Sequence, residues 1–414
     1  MEWMVVIAVV AIAMMIAIEA VSFQRCGYVC TTRMHCQSNL RNVTLGLLGY
    51  VNAHGAFPPS GVFAEDEITL QNLRRGNTDP RVSVVPTYFP GAPDAPRGVP
   101  MYSWVVPILP YLDNMELHDE WTMEVDGYAV PYFDRSVHML GRAGNHKIAS
   151  TGIGVLRCPD DATVRISGGN QSYVVNGGFA LWHAYPVGWV GGQTDGKGTT
   201  TSGPLTWAPS RLGWSGTIDV TQKLGVMFIE TRFPKGMAAD VTIPWNVRST
   251  PAGILDGASN TLLVSENSLT GVGAGPSSYS RGLPTNWAIP LPNFTSFFGP
   301  SNVCGSGNFP QSLDCTSGGL APKGSIDGPD WALANTVGTH ADINFGQKLT
   351  IEGSFPFSNS PHPLGCNMGF CDGSVRFISK TIDGTVYSKL ITRAGGTLPN
   401  ECRQGPLAKD SFYD

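Results

Sequence analysis

Near the end of the chain runs Pro361-His362-Pro363-Leu364-Gly365-Cys366-Asn367-Met368-Gly369-Phe370-Cys371-Asp372-Gly373-Ser374-Val375-Arg376-Phe377-Ile378. An Asp-Gly pair between two apolar runs is a strong short-range signal for a tight β-hairpin, because the central residues of the favoured turns need positive φ. The spacing predicts antiparallel strands over 366–371 and 374–379, with Asp372 and Gly373 at the tip. Cys366 and Cys371 stand five residues apart on the first strand, which sends their side chains to opposite faces and argues against a disulfide between them. Beyond the hairpin, residues 383–393 read as a short helix.

At the other end of the chain, residues 3–18 are sixteen consecutive apolar residues between Glu2 and Glu19, without glycine, proline or charge. As a helix they cover about 24 Å, near the thickness of a hydrocarbon core. No proline occurs before Pro58, and Leu40, Val43, Leu47, Tyr50 and Val51 recur at three- and four-residue spacing. Gly55, Phe57, Pro58 and Pro59 then close the segment. The pattern predicts one helical rod over 2–54, roughly 80 Å long, with its first part in a membrane and its last part on a globular domain.

Both ends resemble a bacterial prepilin-like, type II secretion pseudopilin-like family with a C-terminal H-X9-DG domain (domain of unknown function 1559). His362 stands nine residues before the Asp372-Gly373 pair, and the likeness continues to Gly396. Glu2-Trp3-Met4-Val5-Val6-Ile7-Ala8-Val9-Val10-Ala11-Ile12 is similar to the apolar helix that follows the processing site of prepilins, and Glu2 falls on its acidic position. Shorter stretches carry the same likeness: 33–41, 53–59, Pro107 to Asn114, Leu156 to Asp161, Ser172 to Gly177 and Asp256-Gly257-Ala258-Ser259. The resemblance implies an α+β fold, a pilin-like long N-terminal helix packed on an antiparallel β-rich globular domain with long loops. Residues 1–23 would be the transmembrane part of the helix, 24–56 its exterior half, and 57–414 the ectodomain, with the H-X9-DG region at 355–396. Prepilins carry a basic leader, whereas here Met1 directly precedes Glu2, and Arg25, Arg33 and Arg41 all follow the apolar run. The expectation is a start codon assigned too late.

Composition narrows the function classes. Charged residues are only 14% of the chain, against 50 Gly and 31 Pro, as befits a loop-rich, β-rich exported protein. A net charge of −5 with scattered Lys and Arg offers no basic face to a phosphate backbone, which speaks against nucleic acid as a partner. Nine cysteines are an odd number, and Cys304 with Cys315 is the better local pairing. Residues 60–100 read as a loop, 156–161 and 172–177 as strands joined by turns, and 225–230 and 260–266 as short β runs. Residues 178–224 and 267–360, rich in Gly, Ser, Pro and Trp, read as long surface loops where a specific ligand would bind.

No sequence signature of a metalloprotease, serine hydrolase, phosphate-binding loop or dinucleotide fold occurs, so no catalytic residue is assigned and the chain is read as a non-enzyme. Asp160 and Asp161, adjacent after Cys158-Pro159, read as a turn. Glu2 is the assembly candidate, since a carboxylate at the membrane usually finds a partner; the competing reading is that it lies at the interface and caps the start of the helix. His362, Asp372 and Gly373 are the motif candidates, expected to form a structural clamp in which imidazole and Asp372 carboxylate meet. A Ca²⁺ site at Asp372 is the competing reading, weakened by histidine being a poor calcium ligand. The leading expectation is a membrane-anchored, exported pilin-like or pseudopilin-like structural protein. Its partners would be membrane lipid, further copies through the N-terminal helix, and secretion or pilus machinery. It would be single-pass in the inner membrane, N-terminus cytoplasmic and ectodomain periplasmic or at the cell surface. The alternatives are a tethered solute- or glycan-binding protein and an exported hydrolase.

Overall fold

The computed structural model describes residues 32–408 apart from 86–98, 137–143, 165–167, 180–188, 195–199, 206–212, 236, 238–239, 269, 271–279, 281, 301–302, 304–325, 337–341, 349–352, 354 and 400–401. In chain order the first half holds α1 (32–54), β1 (Gly61–Ala64), α2 (Glu67–Arg74), β2 (Val99–Ser103), α3 (Val105–Ile108), α4 (Met115–Glu120), β3 (Glu124–Val125), β4 (Tyr128–Ala129) and α5 (Asn145–Ala149). Then follow β5 (Tyr173–Phe179), β6 (Trp189–Thr194), β7 (Thr200–Leu205), α6 (Gly213–Leu224), β8 (Ile229–Arg232), β9 (Leu262–Glu266), α7 (Pro292–Thr295), β10 (Ser296–Gly299), β11 (Gly365–Phe370), β12 (Val375–Ser379) and α8 (Gly384–Ile391). The fold is α+β. Its main sheet has five strands in the order β10-β5-β9-β11-β12, and a second has three in the order β2-β1-β8. Most pairings are antiparallel, as expected, but β1 with β8 and β5 with β10 are parallel.

The five-stranded sheet divides two apolar cores, because its side chains alternate between faces. On one side Tyr173, Val175 and Val264 join Cys36, Leu40, Val43, Leu47 and Val51 of α1. On the other, Val174, Leu262, Met368 and Phe370 join Val220 and Leu224 of α6 and Tyr387, Leu390 and Ile391 of α8. The stripe read from the sequence is thus the buried face of α1, with Tyr50 half-buried at its edge. Burying each such aliphatic side chain contributes about 1.5–3 kcal/mol. Gly369 lets α1 approach this closely: a Cβ there would stand 2.3 Å from Thr44 Oγ1. No helix among the described residues is long and apolar enough to cross a membrane, and the apolar run 3–18, Glu2 and the first part of the expected rod lie outside those residues.

The hairpin forms, with a different turn. Strands Gly365–Phe370 and Val375–Ser379 pair antiparallel, and the loop between them holds three residues beyond the Phe370–Ser374 hydrogen bond. Gly373 N–H donates to Phe370 C=O at 3.0 Å, and only Gly373, at φ 88°, takes positive φ. This is a type I turn ended by a left-handed glycine. The Asp372 carboxylate decides for it by accepting from Ser374 N–H at 2.9 Å and from its hydroxyl at 2.6 Å. The expected helix after the hairpin is α8, capped by Asp383 through Thr385 and Val386 N–H.

Three segment readings need correction. Residues 60–100 are not one loop, since β1, α2 and a 3₁₀ turn at Pro80–Val82 lie there. Residues 156–161 are not a strand: a 3₁₀ turn, Gly154–Leu156, leads into hydrogen-bonded turns in which Asp161 N–H donates to Cys158 C=O. The stretches 178–224 and 267–360 contain strands and α6 as well as loops, and the described tryptophans of the second, Trp287 and Trp331, are buried. Within the stretch of likeness from Pro107 to Asn114, Leu109-Pro110-Tyr111-Leu112 forms a 3₁₀ turn directly after α3.

Candidate functional site

Four elements converge where the first turns of α1 meet the end of the central strand β9. Cys36 is on the buried face of α1, and its sulfur is bonded to that of Cys158, 122 residues on, just past the Gly154–Leu156 turn. The same stretch of helix is tied three more times. Tyr173 hydroxyl donates to Cys36 C=O at 3.1 Å, Asn39 Nδ2 to Arg157 C=O at 2.8 Å, and Gln37 Nε2 to Val375 C=O at 3.2 Å. The disulfide was not foreseen, and Cys304 and Cys315 lie outside the described residues. Cys366 and Cys371 are buried thiols, held above the ordinary range chiefly by burial.

Against the disulfide sits His362, 4% exposed. Its Nε2 is 3.4 Å from Glu266 Oε1 and 4.0 Å from Cys158 Sγ, while Nδ1 is 3.6 Å from Asp160 Oδ2. A carboxylate oxygen thus stands near each ring nitrogen. Ser360 Oγ accepts from His362 N–H, and Asn344 Nδ2 donates to His362 C=O, so the backbone around the ring is fixed. Glu266 ends β9 and is 1% exposed. Its two oxygens accept from Asn367 N–H at 2.8 Å and Asn367 Nδ2 at 2.9 Å, which orients the carboxylate toward the histidine. Asp161 lies behind it, accepting from Thr163 N–H, Thr163 hydroxyl and Ser172 hydroxyl. Burial, aided by the Glu266 charge, pushes the Asp161 carboxyl up to about 6.

The expected contact between His362 and Asp372 does not form. The nine intervening residues run along the extended strand β11, so the two ends of the motif lie at opposite ends of that strand. Asp372 is exposed and serves its own turn, while Gly373 faces Leu45 and Leu48 of α1. Among the described residues, the side chains of metal-binding type that come together are Cys36, Cys158, Glu266 and His362, whose donor atoms lie within 4.8 Å of one another. That set is at the histidine end, and its sulfur and imidazole donors do not suit Ca²⁺. Asp160 and Asp161 do form a turn, as read, and also belong to this cluster. Glu266, Asn367 and the paired cysteines were missed. The one sequence signal for them was that Cys158-Pro159-Asp160-Asp161 and the run up to Glu266 lie in or beside stretches of family likeness.

A second feature is a cleft of about 380 Å³ at the C-terminal end of α1, lined by Tyr50, His54, Phe57, Glu230, Arg232 and Arg248 among others. The Tyr50 and His54 rings stack at 4.0 Å, and Arg232 pairs with Glu230 and donates to Tyr102 hydroxyl.

No curated protein and no solved structure matches the chain. A family model does, over residues 32–385, a span that includes α1, the Cys36–Cys158 pair, Glu266 and the whole stretch from His362 to Gly373. The chain belongs to the family described as protein of unknown function (DUF1559).

Proposed function

We propose that the protein is a membrane-anchored, exported pilin-like or pseudopilin-like structural protein, with no catalysis of its own. The observation that supports this most is the fastening of α1. A helix whose upstream sequence is a sixteen-residue apolar run is held to the β-rich domain by a disulfide, three hydrogen bonds and a buried apolar face. Such a joint transmits force between an anchor and a domain. The disulfide fits an oxidising compartment outside the cytoplasm. On this reading the apolar run lies in the inner membrane, Glu2 meets a neighbouring subunit or the assembly machinery, and the hairpin of the H-X9-DG segment braces the helix.

Mass spectrometry of the N-terminus of the membrane-extracted chain tests the proposal. A processed, N-methylated first residue, together with loss of higher-order cross-links in Glu2→Ala, is the expected result. An unprocessed Met1 with cross-linking unaffected by Glu2→Ala would reduce the protein to a simple tethered domain.

A tethered solute- or glycan-binding role is the second reading, favoured by the cleft beside Tyr50 and Arg232. Stacked aromatic faces and a guanidinium suit a polar, ring-shaped ligand. Saturable binding of an oligosaccharide by the full chain, lost in Tyr50→Ala, would support it. Among the described residues no cluster favours the hydrolase reading.

A further inference from the structure

We propose that the Cys36–Cys158 disulfide masks a zinc-class metal site, and that reduction converts the cluster into a Cys₂-His-Glu centre for one divalent ion. The inference does not depend on the proposed function.

The geometry is close to what such a centre requires. Tetrahedral zinc with bonds near 2.0–2.3 Å places its nitrogen and oxygen donors roughly 3.4 Å apart, and sulfur and nitrogen roughly 3.6 Å apart. Here His362 Nε2 lies 3.4 Å from Glu266 Oε1 and 4.0 Å from Cys158 Sγ, and all four donor atoms fall within 4.8 Å of one another. Only the bonded sulfurs are too close, and rotation about their Cα–Cβ bonds separates them once the bond is broken. The surroundings are also those of a metal centre. Zinc-bound histidines hand their other ring N–H to a carboxylate, and Asp160 stands at His362 Nδ1. Ligating carboxylates are themselves hydrogen-bonded, and Asn367 holds both oxygens of Glu266. Four donors from three loops and strands and one helix leave no open position, so the centre would be structural rather than catalytic.

The chemistry balances. A dithiol supplies two electrons and two protons, becoming a disulfide, and releases Cys36 and Cys158 as thiols. Binding of Zn²⁺ then expels the two thiol protons and leaves two thiolates, one neutral imidazole and one carboxylate around the ion. Exchange with a disulfide, which takes up the two electrons and becomes a dithiol, reverses the sequence and ejects the metal. In either state α1 stays fastened, by a covalent bond in one and by a coordinated ion in the other.

Cobalt is the spectroscopic probe. The full chain is reduced with a dithiol in mild denaturant, exchanged into buffer without oxygen, and titrated with Co²⁺. The expected result is one tetrahedral Co²⁺ per chain with thiolate-to-cobalt charge transfer, absent from the oxidised chain. The charge transfer should weaken in Cys158→Ser and survive in Cys366→Ser and Cys371→Ser. Asp160→Asn, which removes only the supporting carboxylate, should lower affinity about 10–100-fold. A second readout needs no variant: Zn²⁺ should raise the melting midpoint of the reduced chain and leave that of the oxidised chain unchanged. A reduced chain with neither tetrahedral cobalt bands nor a zinc-dependent midpoint would overturn the proposal, as would a cobalt spectrum indifferent to Cys158→Ser.

Discussion

The two ends of one motif do different physical work. Asp372 and Gly373 solve a local problem: the carboxylate serves Ser374, two residues away, and the glycine supplies the positive φ that closes the turn. His362, ten positions earlier in the same segment, has no local role of that kind. It sits with Asp160, Glu266 and the Cys36–Cys158 bond, which come from distant parts of the chain. The side chain of Asp372 serves only its own turn, although the backbone there is tied to Ala258 C=O, whereas the side chain of His362 sits among groups that fasten α1 to the sheet. Spacing in sequence therefore does not show that two residues cooperate.

Substitutions can break this contrast, and the largest effect belongs to the joint. Cys158→Ser opens a loop of 122 residues and should cost about 5 kcal/mol by the chain-entropy account, read as a lowered denaturant midpoint. Glu266→Ala should cost about 3–5 kcal/mol, because His362 and Asn367 lose their buried partner. At the other end, Gly373→Ala forces an alanine to φ 88° with its Cβ 3.2 Å from Leu48 Cδ1, for about 1–2 kcal/mol. Asp372→Ala, which loses only an exposed turn contact, should cost about 1 kcal/mol.

Acidity gives a further prediction. The Asp161 carboxyl is raised to about 6 from 3.8, and that of the buried Glu65, by burial, to about 7 from 4.5. Both groups hold a proton more tightly folded than unfolded. Their contribution is fully present below about pH 4 and is lost as pH rises through the folded values near 6 and 7. Urea midpoints should thus fall from about pH 4 to about pH 7, and Asp161→Asn should flatten the lower part of that fall.

Features of short range were legible in the sequence. The stripe Leu40, Val43, Leu47 and Val51 marks the buried face of α1, the Asp-Gly pair marks the hairpin, and the ends of β5 and β9 were placed within two residues. The turn type was not, because it depends on the Asp372 carboxylate accepting from Ser374 N–H and hydroxyl. Strand β1 was lost in a supposed loop because its four residues, Gly61–Ala64, are all buried and show no alternation. The cluster was invisible for a different reason. Asn367 meets Glu266 across 101 positions and Cys36 meets Cys158 across 122, and nothing local to either residue announces its partner.

In the folded chain His362 works with Glu266 and not with Asp372. Paired double-mutant cycles on thermal or urea unfolding measure it directly, one crossing His362→Ala with Glu266→Gln and the other crossing His362→Ala with Asp372→Ala. A coupling of about 1–3 kcal/mol is expected in the first cycle and additivity within about 0.5 kcal/mol in the second. Additivity in the first with coupling in the second would contradict it.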